Sequence, residues 1–256
     1  MNLEGPALVE PSSVDRTFSL RDRYRQEMNC QVVHDSIHTR PGWTVSYVFS
    51  AGGPALGYGS VAIAGPWREK PTILEFYLVP ERRTRAFDFF EGFLAISGAQ
   101  RMETQSNDLL ATTMLHTYGK EVSAESTVFR DRERTSLAAN GSTLHPLTAP
   151  EETRLCIEER AGHAEWRLDV DGLPAARGVL LFHYNRPYTD IAMDVDESFR
   201  RRGLGSYLVQ ELKRIAYELG AIPAARCNPE NVASRRTLQK AGFEPYANIL
   251  TGSIRG

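Results

Sequence analysis

Residues 190–209 constrain this chain more than any other stretch: a short apolar alternation, a polar turn, three arginines and a glycine pair run directly into a helix. Ile191, Met193 and Val195 share one face of a predicted strand. Arg200, Arg201 and Arg202 follow, and then Gly203-Leu204-Gly205-Ser206 opens a helix. Its apolar residues recur at Leu204, Leu208, Leu212, Ile215 and Leu219, on a 3.6-residue period. Gly220 stands where a helix C-terminus needs a residue free to take positive φ. The first N–H groups of such a helix have no internal acceptor, and the helix dipole adds partial positive charge beside them. Glycines at 203 and 205 let a phosphate approach the backbone with no Cβ in the way. The neighbouring arginines supply charge-assisted hydrogen bonds to further oxygens. The stretch therefore predicts a phosphate or pyrophosphate cradle.

Two familiar cradles are excluded. The nucleotide loop GxxxxGK[ST] does not occur, and the dinucleotide fingerprint GxGxxG would need glycine at position 208, which is Leu208. What remains, Arg200-x-x-Gly203-x-Gly205, resembles the pyrophosphate motif of the GNAT family of acyl-CoA-dependent N-acyltransferases. A second motif follows in the right order. The family's fifth strand leads into a helix reading N-x-x-[AS]-x-x-x-Y-x-K-x-G-F, and Asn231, Ser234, Lys240, Gly242 and Phe243 fall on it in register. Each also has a structural role available, Asn231 as an N-cap and Gly242 as a helix stop. The resemblance covers about residues 150–256.

The resemblance implies acetyl-CoA as cosubstrate, without a metal, lying along the strand at 191–195 with its pyrophosphate on Arg202 to Ser206. Its binding set would be Met193, Val195, Arg200, Arg201, Arg202, Gly203, Leu204, Gly205, Ser206, Asn231 and Ser234. The backbone N–H near Val195 would serve the thioester carbonyl as a small oxyanion site. The acceptor, a small-molecule or protein amine, would attack directly in a ternary complex. The family's usual tyrosine, which protonates the departing thiolate, falls on Leu238, so the acid role is open among Tyr188, Tyr207 and Tyr246. Asp190, at the strand mouth, is the candidate base. Simple alternation puts it and Asp194 opposite Ile191, Met193 and Val195 unless a bulge shifts the phase. His183 and Tyr184 end the preceding strand nearby. Arg226 occupies a fifth-strand position where some relatives carry a catalytic glutamate, which fits either a carboxylate-bearing acceptor or an ordinary salt bridge. The alternative to an enzyme is a non-catalytic acyl-CoA-binding sensor.

A weaker copy of the same pattern lies upstream. Val79-Pro80-Glu81, an aromatic-rich helix from about Arg85 to Ile96, Gly98, a strand at Arg101 and a helix opened by Asn107 parallel Val195-Asp196-Glu197, the long helix, Gly220, the strand at 224–227 and Asn231. Its turn, Glu81-Arg82-Arg83-Thr84-Arg85, has no glycine pair, so the first copy is expected not to hold CoA in the family's manner. Phe87, Phe89, Phe90 and Phe93 are expected in its core or in packing between the units, not in a cofactor site. The fold expected is α/β (α+β): two tandem GNAT-like units, a degenerate one at 1–140 and the acyl-CoA-binding one at 141–256. Each would be a mixed, mostly antiparallel sheet flanked by helices.

Residues 1–15 read as a loose leader, 17–28 as helix-permissive, and 30–37 as a first strand interrupted by His34 and Asp35. Residues 134–152 read as a linker, and Arg154–Glu158 as a strand. At 256 residues two domains are the prior. A hydrophobic share of 41%, a charged share of 24% and a net charge of −2 suit a globular protein with no nucleic-acid or membrane partner. Three widely spaced cysteines, Cys30, Cys156 and Cys227, argue against a disulfide framework or zinc site and for a reducing, cytoplasmic setting.

Overall fold

The structure is a computed structural model that describes residues 5–32 and 35–255; residues 1–4 of the expected leader and 33–34 of the expected first strand lie outside them. The chain forms two units. The first contains residues 1–33, 37–125 and 248–256, and the second residues 34–36 and 126–247. The expected division at 140/141 thus differs from the observed one on two counts: the first unit ends earlier, and it takes back the C-terminal residues.

The elements in chain order are β1 (Leu8–Ser12), α1 (Phe18–Met28), β2 (Thr44–Ser50), β3 (Gly57–Ala62), β4 (Thr72–Leu78), α2 (Ala86–Ser97), β5 (Arg101–Gln105), α3 (Leu109–Tyr118) and β6 (Gly119–Asp131). Then come β7 (Ser142–Pro146), α4 (Pro150–Glu159), β8 (His163–Val170), β9 (Leu173–Leu181), β10 (Tyr188–Val195), α5 (Leu204–Glu218), β11 (Ile222–Cys227), α6 (Val232–Lys240) and β12 (Phe243–Ile254).

Both units repeat one strand plan. In the first, β1 to β4 are antiparallel neighbours, β4 pairs β5 in parallel, and the end of β12 closes the sheet antiparallel to β5, with Ile249 opposite Gln105 and Ser253 opposite Arg101. In the second, β7 to β10 are antiparallel, β10 pairs β11 in parallel, and the end of β6 closes antiparallel to β11, with Ala224 opposite Arg130 and Cys227 opposite Thr127. The strand after α3 therefore finishes the second sheet, and the strand after α6 finishes the first. The two units exchange their last strands.

The core of the first unit is aromatic. Phe49, Phe76, Phe89, Phe90 and Phe93 are fully buried, whereas Phe87 is 48% exposed and leans on the Tyr118 ring. Glu75 on β4 lies in this interior with Arg21 of α1 at 3.0 Å and His38 at 3.3 Å. Burial alone would raise its carboxyl, but Arg21 and the hydrogen-bonding His38 beside it hold it well below the usual carboxylate range. The second core lies under α5: Leu204, Leu208 and Leu212 pack on Leu180, Ile191 and Ala225 of the sheet. A Cβ at Gly178 of β9 would stand 2.6 Å from Leu212 Cδ1, so glycine there lets α5 settle against the strand.

Several local expectations are corrected. Arg154–Glu158 is helical, within α4, because Pro150 sits in the first turn with Glu151 and Glu152, and Arg160 caps the helix in the left-handed region. Leu155, within that stretch, is 50% exposed. The expected linker contains β7, and the expected leader contains β1. Residues 35–38 form a 3₁₀ turn instead of continuing a strand. The helix expected to open at Asn107 is capped by Asp108, whose carboxylate accepts from Ala111 N at 3.0 Å, while Asn107 donates to Met28 O. Among the described residues no helix is long and apolar enough to cross a membrane, and all three cysteines are free.

Candidate functional site

The site begins with a parting of strands. β10 pairs with β11 from Tyr188/Ile222 to Ile191/Ala225 and no further. Beyond that point β10 keeps only β9 as a partner, from Ala192/Val179 to Val195/Ala176, while β11 stays with β6. The β11-facing edge of residues 192–195 thus offers backbone donors and acceptors that no strand takes up. The β9–β10 register runs unbroken through residues 190–195, without the bulge that would have changed the phase of Asp190.

The parting opens into two adjoining recesses. The larger, about 650 Å³, is lined by Met193, Val195, Arg200, Arg201, Gly203, Gly205, Ser206, Asn231 and Ser234, with Arg236 and Thr237 from α6. Gly203 has φ 82° and precedes the first turn of α5, and Arg201 also lies in the left-handed region at φ 62°. A Cβ on Gly205 would meet Thr237, Met193 and Val195 at 3.3–3.4 Å, so its absence lets helix and strand converge at the mouth. Ser206 Oγ donates to Thr237 O at 3.1 Å and ties α5 to α6. Asn231 caps α6, accepting from Ser234 N at 2.9 Å. Arg200 Nε donates to Val195 O at 3.0 Å and braces the loop. Two residues of the expected binding set stand elsewhere. Arg202 donates to Ser198 O and covers the Phe199 ring, and Leu204 is buried in the core beneath α5.

The smaller recess, about 290 Å³, shares Met193, Asn231 and Ser234 with the larger and adds Asp190, Arg226, Cys227, Asn228 and Leu238. Asp190 is 4% exposed. Its Oδ2 lies 3.2 Å from Arg226 Nε, while its Oδ1 is buried with no hydrogen-bond partner. Burial raises this carboxyl and Arg226 pulls it back, leaving it at about 6. Arg226 also donates to the Tyr184 hydroxyl and lies 4.9 Å from the centre of that ring. Ile191 and Ala225 pack under α5, so Asp190 and Arg226 occupy the other face of their strands.

The FR47-like protein family model matches residues 184–250, from just before β10 into β12. A GNAT-family acetyltransferase from Colwellia psychrerythraea superposes with a TM-score of 0.70 at 16% identity, over 97% of this chain and 100% of that one. A tandem GNAT protein from the clavulanic acid biosynthesis pathway, solved without acetyl-CoA, superposes at 0.64 and 14% identity, over 98% and 99%. A GCN5-related N-acetyltransferase from Sphaerobacter thermophilus gives 0.59 at 14%, over 98% and 96%. No curated protein sequence matches this chain. The fold is that of the GNAT superfamily.

Within this GNAT fold the two units differ where the cradle would be. The turn at Pro80–Arg85 is 3₁₀ and carries no glycine. Its Arg83 donates to Leu78 O and pairs with Glu27, and its Arg85 donates to Gly5 O and pairs with Asp88. β4 and β5 also part early, after Ile73/Met102. There the unit's own chain moves in: Arg21 reaches Glu75 on β4, and the N–H groups of Gln31 and Val32 donate to the Gln105 side chain on β5. In the second GNAT unit Leu238 is 3% exposed and brings only hydrocarbon to the smaller recess. None of Tyr188, Tyr207 and Tyr246 lines it. Tyr207 packs against the core and Tyr246 lies under Arg130. Sequence reasoning missed Cys227 and Asn228 as site residues. The signal available was their place just past Arg226, at the end of a strand whose neighbour has already turned away.

Proposed function

We propose that the chain is an acyl-CoA-dependent N-acyltransferase that uses acetyl-CoA and a small amine or protein amino group. The observation that supports this reading is the coincidence, in the second unit alone, of a parted β10–β11 pair with a glycine-opened helix N-terminus. The residues fit the donor. The α5 first turn, flanked by Arg200, Arg201 and Arg236, is a cationic cradle, and the left-handed Gly203 leaves it open. The strand edge at 192–195 can hydrogen-bond an extended amide-bearing arm such as pantetheine. Arg200, Arg201, Gly203, Gly205 and Ser206 would hold the pyrophosphate; Met193, Val195, Asn231 and Ser234 would border the arm.

Bound acyl-CoA would supply an activated acyl carbon whose C–S bond breaks as the amide C–N bond forms. The chain's own part is positioning and proton handling. The backbone at 193–195 would orient the acyl carbonyl and offer it an N–H. Asp190 would take the proton from the acceptor nitrogen at its unpartnered Oδ1, with Arg226 fixing the other oxygen. Leu238 would exclude water from the recess.

Calorimetric titration of acetyl-CoA into the wild type and Gly203→Glu, followed by an amine panel read by CoA release, tests this reading. One site per chain, lost in the variant, with turnover of an amine, is expected. Two sites per chain would contradict a blank first unit. Leu238 gives one specific reason for a second reading, an acyl-CoA sensor: it leaves the usual acid position without a hydroxyl. Tight binding with no turnover of any amine would favour that reading.

A further inference from the structure

The smaller recess has a charge pattern that a plain amine would not use. Among the described residues lining it, the charged side chains are Asp190 and Arg226. They stand side by side on neighbouring strands, one anion and one cation at 3.2 Å. We propose that the acceptor is of the amino-acid class, its reacting amine seated on Asp190 and a carboxylate, one or two carbons away, seated on Arg226. This rests on the acyltransfer reading above and deepens it.

Three observations carry the inference. Asp190 Oδ1 is buried and lacks a donor, so a buried acceptor atom awaits an N–H at the place where proton removal is needed. The guanidinium of Arg226 lies on the same face and lines the same recess, with its side chain 30% exposed, so it stays reachable from solvent. A simple alkylamine or polyamine would meet Asp190 but offer nothing to Arg226 beside it, whose charge would oppose the incoming cation. A zwitterion meets both charges at once, because its ammonium and carboxylate are separated on the scale of the Asp190–Arg226 pair. Each protein charge then gains a second opposite partner, with the Asp190 side of the pair buried. A recess of about 290 Å³ also suits a small molecule better than a lysine displayed on a protein, whose amine has no carboxylate near it. The transfer balances. The ammonium gives one proton to the Asp190 carboxylate, and the neutral nitrogen forms the C–N bond as the C–S electron pair leaves with sulfur. The second nitrogen proton ends on the departing thiolate, giving the amide and the free thiol.

The test uses the full chain with acetyl-CoA and matched acceptors: the twenty common amino acids with β-alanine, their carboxamides, and the amines lacking the carboxyl group. CoA release gives kcat and KM, and calorimetry with CoA present gives acceptor binding independently of turnover. The expected result is at least a tenfold advantage in kcat/KM for one or more acids over the matched amide and amine. Arg226→Gln should abolish that advantage through KM, and Arg226→Lys should retain part of it. Unchanged acetyl-CoA binding would show that both variants are folded. Wild-type turnover of amides and amines as readily as acids would overturn the inference and leave the acyltransfer reading standing. Arg226-dependent binding of an amino acid with no turnover would support the pocket assignment and overturn the acyltransfer reading. Failure of every carboxylated acceptor to bind would overturn the inference.

Discussion

The carboxyl of Asp190 is buried against Arg226, and burial wins: it titrates near 6, above its ordinary value of 3.8. As the proton acceptor it should give kcat/KM an ascending limb near pH 6. Arg226→Gln removes the cation that lowers this carboxyl, so the limb should move to higher pH in that variant. Asp190→Asn should reduce kcat about 10²–10⁴-fold, measured by CoA release, with acetyl-CoA affinity preserved. The same shift acts on stability, with a sign opposite to that of an ordinary ion-paired aspartate. Between about 4 and about 6 the folded state holds a proton that the unfolded state has lost. The Asp190 contribution is therefore fully present below 3.8 and lost as pH rises through about 6. The unfolding free energy of wild type minus that of Asp190→Asn should fall across this window and level off above it, as urea titrations at several pH values would show. At this scale the sequence was informative about type and weak about company. The strand alternation placed Asp190 opposite Ile191, and the structure keeps that phase. Nothing local announced that Asp190 would be buried, or that Arg226, on a different strand, would face it.

Helix α5 owes its position to two glycines that serve different ends. Gly203 takes φ 82°, and a Cβ there would find only Lys240 Nζ, at 3.7 Å. Gly203→Ala should therefore cost about 1–2 kcal/mol in backbone strain while leaving the core unchanged. Gly178 has no such dihedral; its Cβ would collide with Leu212 at 2.6 Å and Leu208 at 3.2 Å. Gly178→Ala should cost about 1–3 kcal/mol by lifting α5 from β9, and it should weaken acetyl-CoA binding by displacing the cradle. Urea unfolding and calorimetry together separate the two effects. The helix itself was legible because a 3.6-residue period and paired turn signals agree over four turns. α4 was not, because five residues of mixed polarity satisfy a strand and a helix equally, and the deciding feature is Pro150 in the first turn. β1 and β7 were missed for a related reason: they are edge strands of five residues each, half-exposed, with little apolar alternation to detect.

Across the whole molecule the repeat was visible in sequence because strand, turn and helix signals recur in order. The exchange of closing strands was not, because a strand's composition does not name the edge it will join. Residues 248–255 belong to the first unit through Ile249 and Gly252 on β5, Thr251 held by Arg101, Ile254 N donating to Gln100 O and Arg255 N to Tyr118 O. Ile249, Leu250 and Ile254 pack into or against apolar surface, each worth about 1.5–3 kcal/mol when fully buried. Deleting 248–256 should thus destabilise the first unit, although these residues follow the second in sequence. Hydrogen exchange should accelerate first in β4 and β5 and much less in β9 and β10; the reverse pattern would contradict the assignment.

The exchanged strand also sets a timetable for synthesis. A chain made from its N-terminus usually completes its first domain while the second is still being added. Here the ribosome would release β1 to β5 with one sheet edge still waiting for a strand encoded more than a hundred residues later. At ordinary elongation rates that wait is on the order of 10 s. During it the free edge of β5 is open to other nascent chains, so the first unit to be made would be the last to be sealed.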